Sequence, residues 1–364
     1  MSSSISALSG YGYPALGEII GDVGQITQQM NTLTEQASSG YIANDYAGLG
    51  DTAPAALSLT VQIDTLQAAQ TNIDAVNGPA QVTQNTMTQI GSIAAGLLAD
   101  MPDLSGVNSS QVDLIAANAQ SDLTQVADLL DSQYGNVYVF SGQDSSNPPV
   151  PDPDQITSSG FYLQISGAVA NLTVNGSAAT IASTLATASS NAAGTSPFSS
   201  YLSQPASGIG LPSVSTGDGQ SQPIGLLASA NTSAVSTGTS TTGSYMRDLM
   251  RSLATVASMS SSQASDPNFA ALVSDTQTSL TNAITAMNTD VGALGEQQSS
   301  LTSLQTTLGD TQTALTSQLS NAQDVNMAST LSNLSLVQTQ LETSYQLIAN
   351  ATGLSLAKFL PVSA

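Results

Sequence analysis

The most constraining feature of this sequence is a seven-residue apolar repeat that occurs towards both ends of the chain. Apolar residues recur at every seventh position from Leu59 to Met101, and leucines do the same from Leu294 to Leu315. Side chains spaced by seven lie on one side of an α-helix, so each repeat predicts a long helix with a narrow buried seam. The two rows are Leu59, Leu66, Ile73, Ala80, Met87, Ala94 and Met101, and Leu294, Leu301, Leu308, Leu315 and Ala322.

Two further amphipathic stripes lie nearer to the chain ends. Apolar steps of three and four predict one helix that begins at Glu18 and ends at Gly40, and another that follows a register shift near Asp324. Such narrow stripes are marginal in water, so we expect these helices to pair with each other or with other copies. The predicted assembly seam consists of Ile19, Val23, Ile26, Met30, Leu33, Met327, Leu331, Leu334, Leu341, Tyr345 and Ile348.

The middle of the chain has a different pattern. The apolar period changes to two, which predicts strands at Val137–Phe140, Phe161–Ile165 and Val169–Val174 within a Ser/Thr/Gly/Pro-rich region. The predicted fold class is therefore mainly α, with a long antiparallel helical or coiled-coil rod formed by both chain ends and a small β-rich middle insert. Gly78-Pro79 is expected to kink or interrupt the first long helix.

This pattern divides the chain into three predicted domains. The terminal assembly helices comprise residues 1–45 and 325–364, and the helical rod domain comprises residues 46–140 and 244–324. The insert, residues 141–243, is expected to be a loosely packed or partly disordered β-rich region. Within the rod, Arg247 and Arg251 lie one turn apart and are expected to bind carboxylates on a neighbouring helix.

The composition argues against most chemistry. The chain has no Cys and no His, which excludes disulfides, Cys- or His-ligated metals and the ordinary Ser-His-Asp triad. Three bases against 25 acids cannot bind phosphate backbones, so no nucleic-acid partner is expected. The sequence contains no run of 18 apolar residues, so no membrane insertion is expected. We therefore expect a structural protein that is not an enzyme and has no cofactor.

Three aspartates in the Pro-rich loop form a candidate cation site. Asp144, Asp152 and Asp154 lie among prolines and carry the oxygen ligands that calcium prefers. The regular spacing of a calcium-binding loop is absent, so a solvated loop is the favoured interpretation and no metal site is predicted.

Four runs of residues, in the correct order, resemble the bacterial flagellin family. That family includes filament flagellin and the flagellin-like hook-associated protein of the hook–filament junction. The matching runs are Leu33–Gly48 (LTEQASSGYIANDYAG), Leu59–Val76 (LTVQIDTLQAAQTNIDAV), Val291–Ser300 (VGALGEQQSS) and Leu331–Leu360 (LSNLSLVQTQLETSYQLIANATGLSLAKFL).

The resemblance implies a subunit that is exported unfolded through the flagellar type III apparatus with a chaperone. It then assembles outside the cell with itself and with other axial proteins, namely hook-associated proteins and flagellin, and no cleaved signal peptide is expected. Tyr138–Gly142 (YVFSG) resembles the junction protein and favours it over filament flagellin. At Tyr41, Ile42 and Ala43 the chain lacks the arginines of common flagellins. A secreted adhesin or surface-layer protein is the alternative of another class.

Overall fold

The computed structural model describes residues 12–104, 109–215 and 221–357. Their regular structure is dominated by helices, four of them long, and includes two short antiparallel strand pairs. The strands are β1 (Gln133–Tyr134), β2 (Val137–Tyr138), β3 (Ser213–Ser215) and β4 (Ser221–Pro223). The α-helices are α1 (Gly12–Ser39), α2 (Ala53–Leu104), α3 (Ser109–Leu130), α4 (Gly160–Ala170), α5 (Leu172–Ser189), α6 (Tyr245–Ala257), α7 (Phe269–Gln323) and α8 (Met327–Ala357).

The prediction of a mainly α protein with a small strand-containing middle is confirmed. The chain divides into two compact units, one containing residues 1–65 and 310–364 and the other residues 66–309. The smaller unit holds α1, α8, the start of α2 and the end of α7. The larger unit holds the remaining helices and both strand pairs.

In the larger unit, α2 and α7 run antiparallel. The Asp74 carboxylate accepts a hydrogen bond from Gln305 Nε2 at 2.6 Å, while Gly91, further along α2, lies against Met287, which is earlier in α7. Seam residues predicted from the heptads are buried here, as expected. They include Ile73, Ala80, Met87, Ala94 and Met101 of α2 and Leu294, Leu301 and Leu308 of α7.

Helix α6 lies at the centre of the larger unit. Each of its twelve residues from Tyr245 to Val256 is buried, where the sequence pattern predicts one apolar stripe. Helices α3, α4 and α5 all pack against it. Ser244 caps its N-terminus by accepting a hydrogen bond from the Arg247 backbone N–H at 3.4 Å. The core of this unit therefore surrounds a helix that carries charged side chains.

Two predicted strands of the insert are wrong. Phe161–Ile165 lies within α4, and Val169–Val174 spans the end of α4 and the start of α5. Phe161, Ile165, Val169 and Leu172 are buried together, at spacings of four, four and three. These spacings also fit a helix, and a short apolar run does not distinguish the two periods by itself. At Val137–Phe140 the strand prediction is confirmed only for Val137 and Tyr138.

The insert is also better packed than a polar, partly disordered region would be. Phe198, Leu202, Val214, Ile224 and Leu226 are all buried in the main core of the larger unit. The expectation of loose packing is therefore wrong for the described residues of the insert, because a few widely spaced apolar residues suffice to anchor its loops.

The predicted interruption at Gly78-Pro79 is wrong, because α2 continues through both residues. The seam on either side of the proline is buried, at Ile73 and Ala80, so tertiary packing outweighs the missing backbone donor. Gly78 has a second role here. A β-carbon at this position would overlap with the ring of Tyr134, so the glycine lets the first hairpin strand approach the helix.

Candidate assembly interface

The predicted seam residues of α1 and α8 come together within one subunit. The two helices pack against each other, and α1 makes its main helix contacts with α8. The half-buried side chains include Val23, Ile26, Met30 and Leu33 of α1, and Leu334, Leu341 and Ile348 of α8. Ile19 lies in α1, but its side chain is outside the described residues. These seven residues thus form a helix–helix seam that is only partly covered.

Backbone hydrogen bonds tie together the turns at the ends of this helix pair. Ile42 N–H donates to the Gln323 carbonyl at 2.7 Å, and Val325 N–H donates to the Gly40 carbonyl at 2.9 Å. Gly40 has a φ of 79°. Glycine adopts this left-handed conformation readily and so often ends a helix. The turn at Gly40 and Ile42 is therefore held by main-chain hydrogen bonds with the end of α7 and with Val325, which lies just before α8.

The other three predicted residues of α8 lie along the exposed edge of this seam. Met327, Leu331 and Tyr345 are 40%, 51% and 54% exposed. Met327 and Tyr345 are 18 residues apart, which is five helical turns, so they lie on the same side of α8 about 27 Å apart. Leu331 and Tyr345 are the i+4 neighbours of Met327 and Leu341 in the heptad row, and together with Met327 they flank the covered part of the seam.

Sequence reasoning missed two residues that complete the seam. Thr330 and Val337 are the most buried described side chains of α8. Thr330 lies three positions after Met327, and Val337 lies three positions after Leu334. Their i+3 spacing from the heptad row was the available signal.

A second exposed apolar stripe on α8 was also missed. Leu336 is 57% exposed and Leu347 is 54% exposed. They are 11 residues apart and so project within about 20° of each other, roughly opposite Met327. Helix α8 therefore carries two exposed apolar stripes in addition to the side chains that α1 covers within the subunit.

The charged side chains on the described surface are all negative. Glu18, Asp22, Glu35 and Glu342 are exposed on α1 and α8. Of the three bases in the chain, Arg247 and Arg251 are buried and Lys358 is outside the described residues. The described part of the surface thus presents carboxylates without an exposed cation, so contacts between two such surfaces have no Lys or Arg partners for these acids.

The buried arginines stabilise the larger unit. Arg251 Nη1 is 3.4 Å from Asp275 Oδ2 on α7, which confirms the expected pairing with a carboxylate on a neighbouring helix. For Arg247 that expectation is wrong. Its guanidinium donates to the Ser229, Ala188 and Ser190 carbonyls at 3.0–3.2 Å and lies over the Phe198 ring at 5.1 Å. These acceptors are distant in sequence, so the pattern could not identify them. Burial lowers the pKa of Arg247.

A buried carboxylate fixes the loop before α6. Asp290 of α7 is fully buried and accepts hydrogen bonds from three successive backbone N–H groups, those of Thr232, Ser233 and Ala234, at 2.6–2.8 Å. Three aligned donors form a cradle for an anion. Burial and the neighbouring Asp290 raise the pKa of Tyr245 well above its usual value.

The candidate calcium residues do not converge. Asp144 accepts a hydrogen bond from Asn147 Nδ2 at 2.8 Å, as in an ordinary turn. Among the described residues, no group of three or more acids is arranged to hold a metal ion. The described helices also include none that is long and apolar enough to cross a membrane.

Comparisons with known proteins agree with the helix arrangement at both ends. The family model for the bacterial flagellin N-terminal helical region matches residues 21–145. The family model for the bacterial flagellin C-terminal helical region matches residues 278–360. Together these regions cover more than half of the chain. No match was found among curated proteins.

Proposed function

The chain belongs to the bacterial flagellin family, and from this premise we propose that it joins the hook to the filament as a flagellin-like hook-associated protein. The family makes it a structural subunit of the extracellular flagellum. Tyr138–Gly142, which resembles the junction protein, favours the junction over the filament. Filament flagellin is the alternative, because both proteins use the same pair of terminal helices.

The observation that carries the assembly role is that α8 keeps two apolar stripes exposed after α1 has packed on it. One side is packed on α1, whereas Met327, Leu331 and Tyr345 and, opposite them, Leu336 and Leu347 are exposed. Exposed apolar side chains arranged in stripes are typical of surfaces that bind protein partners. We propose that neighbouring copies or other axial proteins cover these two stripes, and that residues 1–45 and 325–364 act as the assembly helices.

Export is part of the same proposal. A subunit that leaves the cell unfolded through the flagellar type III apparatus needs its assembly helices shielded beforehand, which is the task of an export chaperone. The apolar stripes of α8 give such a chaperone a surface to bind. No catalytic step, cofactor or membrane insertion is proposed.

Deletion of the gene distinguishes the two roles. Loss of a junction protein leaves hooks on the cell and releases monomeric flagellin into the medium, because the filament has nowhere to attach. Loss of the filament flagellin leaves bare hooks and little flagellin in the medium. Intact filaments in the deletion strain would contradict both roles.

The double substitution Leu336→Gln and Leu347→Gln tests the exposed stripe that these two leucines form on α8. We expect normal folding, because both side chains are exposed, but loss of assembly and of motility. Burying a leucine contributes about 1.5–3 kcal/mol, so losing two should weaken assembly at least about tenfold. The control is Leu163→Gln on α4, which is 59% exposed and should assemble normally. Unchanged assembly of the double variant would exclude this surface from the interface.

A further inference from the structure

A cavity in the insert has no role in the proposed assembly. It is an open cleft of about 670 Å³ between the segment around residues 150–159 and the loop around residues 191–203. This volume is within the usual range for sites that bind small molecules. All of its lining residues belong to the larger unit.

The shape of the cleft is fixed by rigid backbone. Gly160 and Gly194 approach so closely that a β-carbon at Gly160 would overlap with the Gly194 carbonyl oxygen. Ser199 N–H donates to the Pro149 carbonyl at 2.8 Å and joins the two sides of the cleft. Val150, Ile156 and Phe198 also line the cleft but are buried, so the apolar surface that a ligand can reach is that of Pro151 and Ala193. A ligand therefore meets a preformed surface, which lowers the entropic cost of binding.

The polar groups of the cleft are nearly all neutral. Asn191 Oδ1 accepts a hydrogen bond from Arg247 Nη2 at 2.7 Å. The Nδ2 group of Asn191 remains as a donor at the cleft. The Gln155 and Ser200 side chains also line the cleft, are exposed, and make no hydrogen bond with the described part of the chain. Asp152 is the single ionisable side chain among the lining residues.

These groups select the chemistry of a ligand. Amides and hydroxyls both donate and accept hydrogen bonds, which suits the hydroxyl groups of a sugar. The exposed Pro151 and Ala193 side chains suit the C–H groups of a sugar ring. An anionic ligand would meet Asp152 and the strongly negative chain without a compensating exposed base among the described residues.

We propose that this cleft binds a neutral saccharide, with Gln155 and Asn191 as the principal hydrogen-bonding side chains. Binding would give the subunit a second function, contact with glycans at the surface of the structure that it builds. The function is independent of the hook or filament role, because the cleft shares no residue with the stripes of α8.

NMR titration of the full chain at assembly-incompetent concentration tests the proposal. The probes are lactose and N,N′-diacetylchitobiose as neutral sugars, and sialyllactose as the anionic comparison. We expect the side-chain amide signals of Gln155 and Asn191 to shift with at least one neutral sugar at millimolar concentration. Sialyllactose should bind more weakly than lactose.

Substitutions make the test specific. Gln155→Ala should weaken binding about two- to tenfold, the usual effect of one lost hydrogen bond, and Gln111→Ala, an exposed glutamine on α3, should not. Gln155→Ala leaves the Arg247 contacts intact, so it separates binding from folding, whereas Asn191→Ala affects both. Absence of shifts with both neutral sugars at 10 mM, shifts that Gln155→Ala leaves unchanged, or tighter binding of sialyllactose would each overturn the proposal.

Discussion

The two units of this flagellin-family protein differ most in how completely they bury their helices. In the smaller unit, the side chains described as buried are Leu49, Ala56, Thr330 and Val337, and the α1–α8 seam is otherwise half-exposed. In the larger unit, α6 is buried along twelve consecutive residues. Since helices in water depend on tertiary packing, we expect the larger unit to be stable alone and the smaller one to need partners.

The first way to test this contrast is to break the larger unit. We expect Asp290→Asn to unfold it at much lower denaturant concentration, because an amide supplies one acceptor oxygen where the carboxylate serves three backbone donors. The loss should be about 3 kcal/mol or more, since each hydrogen bond to a charged group contributes about 1.5–3 kcal/mol. Denaturation followed by circular dichroism measures it.

The matched control is Glu342→Gln on α8, the same type of change at an exposed carboxylate of the smaller unit. It should alter the unfolding free energy by less than about 0.5 kcal/mol. Equal effects of the two substitutions would mean that the larger unit does not depend on the Asp290 cradle.

The smaller unit should respond to salt when it assembles. Its exposed acids have no exposed basic partner among the described residues, so copies repel one another and screening relieves the repulsion. We expect the critical concentration for polymerisation to fall severalfold from about 20 mM to about 200 mM NaCl, as the screening length shortens from roughly 20 Å to below 10 Å. Sedimentation of polymer at several protein concentrations measures this. Polymerisation that is unchanged or improved by removing salt would contradict the account.

A smaller effect is expected at the end of α3. Asp131 is half-buried and accepts the Val150 N–H at 2.8 Å, and desolvation raises its pKa from 3.8 to about 6, with a smaller contribution from Asp128. The folded state therefore binds this proton more tightly than the unfolded chain. Its contribution to stability is fully present below about pH 4 and is lost as the pH rises through about 6.

Asp131→Asn should remove the loss of stability that occurs as the pH rises through about 6. The asparagine keeps an oxygen that can accept the Val150 N–H. We expect a stabilisation of about 1–2 kcal/mol at pH 7, reduced from the full effect of the pKa shift because the side chain is partly solvated. The difference from the native chain should disappear by pH 4. Asp103→Asn, an exposed change of equal charge, is the control. A difference independent of pH would exclude the titration of Asp131 as its cause.

The sequence predicted the long helices well because a heptad is a local pattern. Ile73, Met87 and Leu301 are buried as the seven-residue rows require. It failed at Phe161–Ile165, where a short apolar run fits both a strand and a helix. It also failed at Pro79, where packing of the surrounding seam outweighs local propensity.

The candidate interface was predicted in part for the same reason. The half-buried seam at Val23, Ile26 and Leu334 follows from local spacing. The outward stripe at Leu336 and Leu347 does not belong to the heptad row and becomes visible only once the position of α1 on α8 is known. The carbonyl partners of Arg247 are between 18 and 59 residues away, beyond any local pattern.

Hydrogen exchange in a dilute monomer and in the polymer tests the central claim most directly. The account predicts that amides of α1 and α8 exchange rapidly in the monomer and become protected on assembly, while those of α6 are protected in both. The relevant quantity is the free energy of local opening, which follows the extent of burial. Protection of α1 and α8 in the dilute monomer as strong as that of α6 would contradict the claim.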